Sequence, residues 1–537
     1  MSGADLMLAG GVVRSGHDGW RPHEALALAG GRVAAVGSRA ELAALSGPAT
    51  EEIDLAGGCA LPGLTDAHVH IFGYALSLEL LPAGEAGSLD ALAAMVTAAA
   101  AEAPGDGWVA GHGWDHERWP DRRMPDRRDL DAAGGGRPVY LTRTCSHIAV
   151  ASSAALARAG VTRETPDPPG GVIDRDAAGE PTGVLRETAL PLVGRLVPPP
   201  GPADRARLLA RALRECLSLG ITQVQTDDLG IAGGLEAGVE FFRSVAGPGG
   251  VPVRITLMLP IDLFALAQRE GVGTGWGDEW LRIGHVKVFA DGSLGGRTAA
   301  LRAPYSDAPG VDGVLVQRPD ELREICRRVH AAGSQLGVHA IGDRAAHHVI
   351  EAVAAAAAER PRPDPRHRLI HCQVTGPDTL EAMRAVGMTA DLQTGFLASD
   401  GPWVTARIGP ERAATSYAWG TILGLGIPAC GGSDAPIDPL DPMRGIASAV
   451  TRAGAPPELA RPGERLTVAQ ALGLYTHGAA AATFEEARRG TLAPGMAGDV
   501  TVLDRDPFEV APQELEGLRC RATLVAGRPA WRAPSGG

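Results

Sequence analysis

The 537-residue chain is almost without lysine: among its 50 basic residues 49 are arginine, and Lys287 stands alone. Arginine serves as a cation on any solvated face, but its guanidinium stays protonated at working pH, whereas a desolvated lysine can become a neutral nucleophilic amine. The surviving lysine therefore marks a position where that chemistry is wanted. Long hydrophobic runs are also missing; with no stretch of about 18 apolar residues, a helical membrane span is not expected. The opening Met1-Ser2-Gly3-Ala4-Asp5 lacks the charged and apolar regions of a secretory leader. Seven cysteines are scattered without a Cys-x-x-Cys pair, as suits free thiols in a reducing compartment. No basic block occurs, and the net charge of -13 argues against nucleic acid or an anionic membrane as partner. The expectation is a cytoplasmic protein acting on a small molecule, with a homo-oligomer as one possible state.

What is present has a clear order. Short alternating strands with glycine turns run from Asp5 to Ile53, as in Ala25-Leu26-Ala27-Leu28-Ala29-Gly30-Gly31. The same texture returns after the helix-like Ala469 to Ala482, in Gly498 to Asp504 and Ala522 to Gly527. Neither end has strands enough for a sandwich alone, so residues 1–61 and 484–537 are expected to pair into one composite β-sandwich domain. Between them, apolar runs alternate with Ala/Leu/Arg-rich helical stretches, at Ile221 to Gln225, Val253 to Leu259, Val286 to Phe289, Leu336 to His339, Arg368 to His371 and Ile427 to Cys430. Repeated β-then-α order predicts an α/β fold, a (β/α)8 TIM-like barrel over 62–483. A Gly-, Pro-, Trp- and Asp-rich segment at about 105–197 breaks the rhythm and is expected to form an insertion over the barrel mouth.

Pro62-Gly63-Leu64-Thr65-Asp66-Ala67-His68-Val69-His70 carries two imidazoles at i and i+2. On an extended segment both rings face one way, near enough to hold one cation, although an isolated His-x-His is weak evidence. Its company strengthens it: His339, His371 and Asp434 each end or follow a strand-like run, where a βα-barrel delivers residues to its C-terminal face.

In this order the residues resemble the amidohydrolase superfamily, with His-x-His after the first strand, lysine on the fourth, histidines on the fifth and sixth, and aspartate on the eighth. The stretches Lys287-Val288-Phe289-Ala290-Asp291-Gly292-Ser293, His339-Ala340-Ile341-Gly342-Asp343-Arg344-Ala345 and Gly432-Ser433-Asp434-Ala435-Pro436 are similar to the branch that includes N-substituted formamide deformylase (amidohydrolase family 3). The resemblance implies one or two divalent metal ions, zinc foremost, with His68 and His70 on one and His339 and His371 on the other. It implies a CO2-derived carbamate on Lys287 bridging them and Asp434 as a ligand that also moves the proton of the attacking water. The implied activity is hydrolysis of a C–N bond in an amide, formamide or N-acyl compound. An ester or acyl hydrolase on the same site, and an inactive binding homologue, are the alternatives.

Other residues carry weaker signals. Trp114, Asp115 and His147 in the insertion, and His285 two residues before Lys287, are substrate-contact candidates, while His116 and Trp119 could merely pack the insertion. Glu187 could approach the mouth or only pair with arginine. His347, His348, His330 and His367 are expected at the surface or as caps. Cys372 should point away from the site as a buried thiol. The Asp227-Asp228 pair is poorly suited to paired-carboxylate chemistry, because adjacent residues on an extended chain face apart.

Overall fold

The computed structural model describes residues 3–103, 105 and 107–534. Eight parallel strands follow one another round a single sheet: β1 (Leu64–Val69), β2 (Ile221–Thr226), β3 (Arg254–Pro260), β4 (Leu281–Phe289), β5 (Leu336–Ala340), β6 (Arg368–His371), β7 (Thr389–Leu392) and β8 (Ala429–Gly431). Past β8, the Asp434 N–H donates to the His68 carbonyl (2.7 Å) and the His70 N–H to the Ala435 carbonyl (2.9 Å). These bonds bring the eighth strand round to the first, so the barrel is nearly closed. Outward residues such as Val286 and Val288 are buried under the surrounding helices. Several of those helices carry proline in the first turn, at Pro202, Pro319, Pro377 and Pro442, where its missing N–H costs nothing.

One expected regularity was missing from the sequence. β7 reads Thr389-Ala390-Asp391-Leu392, and the aspartate in so short a run hides it from any apolar pattern.

The two chain ends meet in a pair of sheets. Val500–Leu503 pairs antiparallel with Cys59–Pro62, the strand that leads through Gly63 directly into β1. A four-stranded sheet from the first 54 residues packs on this six-stranded one through Leu6, Leu8, Leu26, Val500, Val502 and Leu524. The extreme bounds expected for this domain, 1 and 537, lie outside the described residues.

The insertion is a separate six-stranded sheet, and it starts earlier than its composition suggests. Leu81–Pro82 already pairs with Val109–Trp114, and the helix Leu89–Glu102 buries Leu92, Val96 and Ala100 against the same sheet. An ordinary alanine-rich helix gives no compositional sign that it belongs to the insertion rather than to the barrel.

Candidate metal centre

Four imidazoles, one amine and one carboxylate converge at the C-terminal end of the barrel. His68 ends on β1 with its Nε2 3.1 Å from the Lys287 Nζ of β4 and 3.6 Å from Asp434 Oδ1. His70, just past β1, brings its Nε2 within 3.2 Å of the same carboxylate oxygen. His339 of β5 and His371 of β6 meet directly, Nδ1 to Nε2, at 2.9 Å. Among the described residues, donor atoms of His68, His371 and Asp434 lie within 4.8 Å of one another, all buried. Asp434 Oδ1 receives no hydrogen bond, although it is buried. A buried acceptor without a donor is costly unless something else answers it, and a cation would.

The surroundings fix which nitrogen faces inward. His371 Nδ1 is held by Gln393 Oε1 (2.7 Å), leaving Nε2 to the centre. For His339 the reverse holds, since Nε2 donates to the Gly292 carbonyl at 3.1 Å and Nδ1 is free to turn inward. Metal-ligating imidazoles are usually oriented this way, by a hydrogen bond on the far nitrogen. Burial drives the affinity of His68, His339 and His371 for a proton well below the usual value, with neighbouring cationic groups adding to it. They are thus neutral and able to ligate. For Asp434, burial would raise the pKa, but the close approach of the His70 imidazole and the nearby His68 and Lys287 outweigh it and hold the carboxyl below its ordinary range. Conversely, burial opposes a charge on His70, yet Asp434 and the Asp227–Asp228 pair lift it to about 9.

The backbone is built to deliver these groups. His371 (φ 79°) and Asp434 (φ 60°) both sit in the left-handed region that non-glycine residues seldom occupy. Asp66 holds the seam, its Oδ1 accepting from the N–H of His68 (3.1 Å) and of Ser433 (3.0 Å).

Above the centre lies a cavity of about 830 Å³, with His339, His371 and Asp434 on its floor. The insertion supplies Asp115, Arg143 and His147 to one wall, and Phe396, Trp403 and Asp400 form another. His147 Nδ1 is 2.7 Å from Glu187 Oε2, and its ring lies 5.4 Å from that of His339. Of the two alternatives for Glu187, pairing near the mouth is thus the observed one, with histidine as partner.

Two substrate-contact candidates stand elsewhere. Trp114 is fully buried inside the insertion, its Nε1 donating to the Leu141 carbonyl (3.0 Å) and its ring packed near Trp119. His285 occupies the layer below Lys287, where Gly337 makes room for its ring: a Cβ there would come within 2.1 Å of it. Its Nδ1 lies 3.3 Å from Arg368 Nη1, so it fills the barrel interior rather than the cavity. His347 and His348 lie on the helix Asp343–Glu359 beside Glu351, but His330 and His367 depart from expectation: they are buried and bonded to each other at 2.8 Å. Cys372 is buried among Leu369 and Met383, away from the centre.

Of the groups beside the centre, the sequence raised the Asp227–Asp228 pair only as paired carboxylates and gave no role to Asp227 at the lysine. Asp227 Oδ2 lies 3.4 Å from Lys287 Nζ, while Asp228 turns away to accept from the N–H of Phe72 and Gly73. The two do face apart, and that is what frees Asp227 for the lysine. Gln393, Asp391 and Arg143 carried no signal either, being residue types common on any surface.

A (β/α)8 barrel with this donor set at its open end is a metal-dependent hydrolase. The model of the amidohydrolase family matches residues 51–530. YtcJ of Bacillus subtilis (strain 168), whose name places it among amidohydrolases, is 36% identical over 485 residues, 90% of each chain. The N-substituted formamide deformylase of Arthrobacter pascens is 27% identical, over 97% of both chains. A solved structure described as a metal-dependent hydrolase from Pyrococcus furiosus superposes with a TM-score of 0.73 at 30% identity, covering 94% of this chain and all of its own. The chain belongs to the amidohydrolase family. Among the described residues no helix is long and apolar enough to cross a membrane.

Proposed function

We propose that this hydrolase cleaves a C–N bond in a small amide, formamide or N-acyl compound, using a divalent cation, zinc foremost, held by His68, His70, His339, His371 and Asp434. The observation that carries the cation is the convergence of neutral imidazoles on a buried carboxylate oxygen that has no donor. What supports the C–N bond is the likeness to a formamide deformylase along nearly the whole chain. A bound cation of this kind lowers the pKa of water and polarises a carbonyl.

The chain's own groups do the rest. Asp434, kept ionised beside His70, takes a proton from the attacking water and passes it to the departing nitrogen, which leaves poorly unless protonated. His147, steadied by Glu187, presents its other face to the cavity beside His339 and can orient the substrate. Lys287 is buried against His68, and as a carbamate it would supply the anion that two cations share. Asp227, 3.4 Å away, opposes a second negative charge there unless two cations balance it, so the carbamate and the two-cation centre stand or fall together.

The test is direct. Zinc-loaded protein is expected to release amine from formamides and simple amides, to lose at least about 100-fold of that rate on chelation, and to regain it with metal. Full metal content without turnover, or turnover of esters alone, overturns the reading. Intact-mass measurement is expected to show one CO2 added at Lys287 with two cations per chain; an unmodified lysine beside one cation overturns the bridged form.

A further inference from the structure

Asp434 stands at the one join of the barrel that is not made by a strand ladder. Among the described residues the ladder runs unbroken from β1 to β8, and those two strands share none. His339 and His371 are carried by strands paired on both sides, whereas Asp434 follows β8, whose ladder is with β7 alone. Its backbone, at φ 60°, also occupies a region that persists only where the surroundings over-determine it. The group that does so is Asp66, a carboxylate 1 % exposed and two residues before His68. Its Oδ1 takes the N–H of His68 (3.1 Å) and of Ser433 (3.0 Å), and its Oδ2 takes the Ser433 hydroxyl (2.5 Å). The oxygen of that hydroxyl accepts from the Ala435 N–H at 3.0 Å, so the residues on both sides of Asp434 hang from Asp66. Gly432 permits the approach: a Cβ there would stand 2.4 Å from the His68 nitrogen and 2.7 Å from Asp66 Oδ1.

We propose that Asp66 is the positioning residue for Asp434, a buried carboxylate that fixes the proton carrier against the imidazoles of His68 and His70 without touching substrate. Because one oxygen holds both backbones, neither can shift against the other without breaking a bond. The two sides are not equally dependent on it. His68 is kept in place by the β1–β2 ladder, so loss of the clamp falls on the turn at 433–435, which is free to relax from its left-handed backbone. A misplacement of about 1 Å in a reacting group can lower a rate by about 100-fold, while imidazoles on laddered strands still hold a cation. This inference rests on the hydrolase reading, in which Asp434 moves the proton, and it separates rate from metal binding.

The experiment follows zinc content, kcat and KM for an N-substituted formamide in Asp66→Ala, Asp66→Asn and Ser433→Ala, each alone and combined with Asp434→Asn. Asp66→Ala is expected to keep its zinc and to lose about 10- to 100-fold in kcat, with KM within about threefold of wild type. Asp66→Asn, which keeps an oxygen for both N–H groups, restores kcat to within about threefold. On the Asp434→Asn background Asp66→Ala lowers kcat by less than about twofold more, since the group it positions is already disabled. Amide hydrogen exchange of the full chain without zinc is expected to quicken at residues 431–436 in Asp66→Ala. Ser433→Ala, which removes the hydroxyl bond alone, shows a smaller loss of kcat that also vanishes beside Asp434→Asn, and decides the matter should Asp66→Ala not fold. Unchanged kcat or exchange in Asp66→Ala, loss of its zinc, failure of Asp66→Asn to restore the rate, or losses that multiply with Asp434→Asn each overturn the role of Asp66 and leave amide hydrolysis standing. Absence of all amide turnover in wild-type protein is a different result: the hydrolase reading falls, and this role with it.

Discussion

An imidazole has two nitrogens, and whatever holds one decides what the other can do. Gln393 on His371 and the Gly292 carbonyl on His339 leave Nε2 and Nδ1, respectively, pointing at each other, a pose that makes sense for two ligands of one cation. The amine of Lys287 obeys a stricter rule, since no other residue type yields both a neutral amine and a carbamate. Lys287→Arg is therefore expected to keep the charge but lose metal, read as metal content per chain falling to a small fraction of wild type. Asp434→Asn should retain most of its metal while kcat falls by about 10²–10⁴, the range for losing a positioned proton carrier. Metal analysis beside steady-state kinetics separates the two variants. Lys287 and the imidazoles were legible in the sequence because the chemistry tolerates so few substitutes. Asp227 and Arg143 were not: acids and arginines cover this protein's surface, and only the fold shows that Arg143 is buried and that Asp227 meets Lys287.

At the level of strands, the site depends on a polar network threaded through the barrel interior. Arg368 of β6 donates to Asp391 of β7 (2.6 Å), to the Ala67 carbonyl of β1 (2.8 Å) and to Gln225 of β2 (2.6 Å). Asp391 in turn accepts from Gln393 (3.0 Å) and stands 3.4 Å from His68 Nδ1. One carboxylate thus stands close beside a ligand candidate on β1, whose Nδ1 it approaches without a hydrogen bond, and steadies another on β6 through an amide. Asp391→Ala leaves a buried guanidinium without its counter-charge, a loss of about 3–5 kcal/mol by analogy with other broken buried pairs. The expected result is a clearly lower unfolding midpoint together with metal affinity weakened by about 10–100-fold. A variant with normal metal affinity would mean that the strand scaffold alone orients the histidines. The same residue explains why β7 escaped sequence reading: strands are found by their apolar periodicity, and this one devotes its centre to a charge.

For the molecule as a whole, the question is how the sandwich made from both chain ends is fastened to the floor of the barrel. Arg254 of β3 grips Asp499 with two bonds (2.7 and 3.0 Å), and the same carboxylate accepts from the N–H of Ala526 in the C-terminal sheet (2.8 Å). Thr501 adds a second fastening, donating to the Gly220 carbonyl (2.6 Å) and accepting from the Leu64 N–H (3.2 Å). The meeting of the two ends was readable as strand texture returning late in the chain, but its attachment to the barrel was not, because it lies in a few polar contacts far apart in sequence. Burial would raise the pKa of Asp499, yet Arg254 outweighs it and holds the carboxyl below its ordinary value. A carboxyl depressed in the folded state stabilises fully above its unfolded pKa of about 3.9, and the contribution is lost as pH falls towards the folded value. Asp499→Asn never has that contribution. The stability gap between wild type and this variant should accordingly be constant from neutral pH down to about 5 and narrow below about 4, as measured by denaturant unfolding across that range. A gap that stays equally wide at pH 3 would show that the attachment draws on packing around residue 499 rather than on its charge.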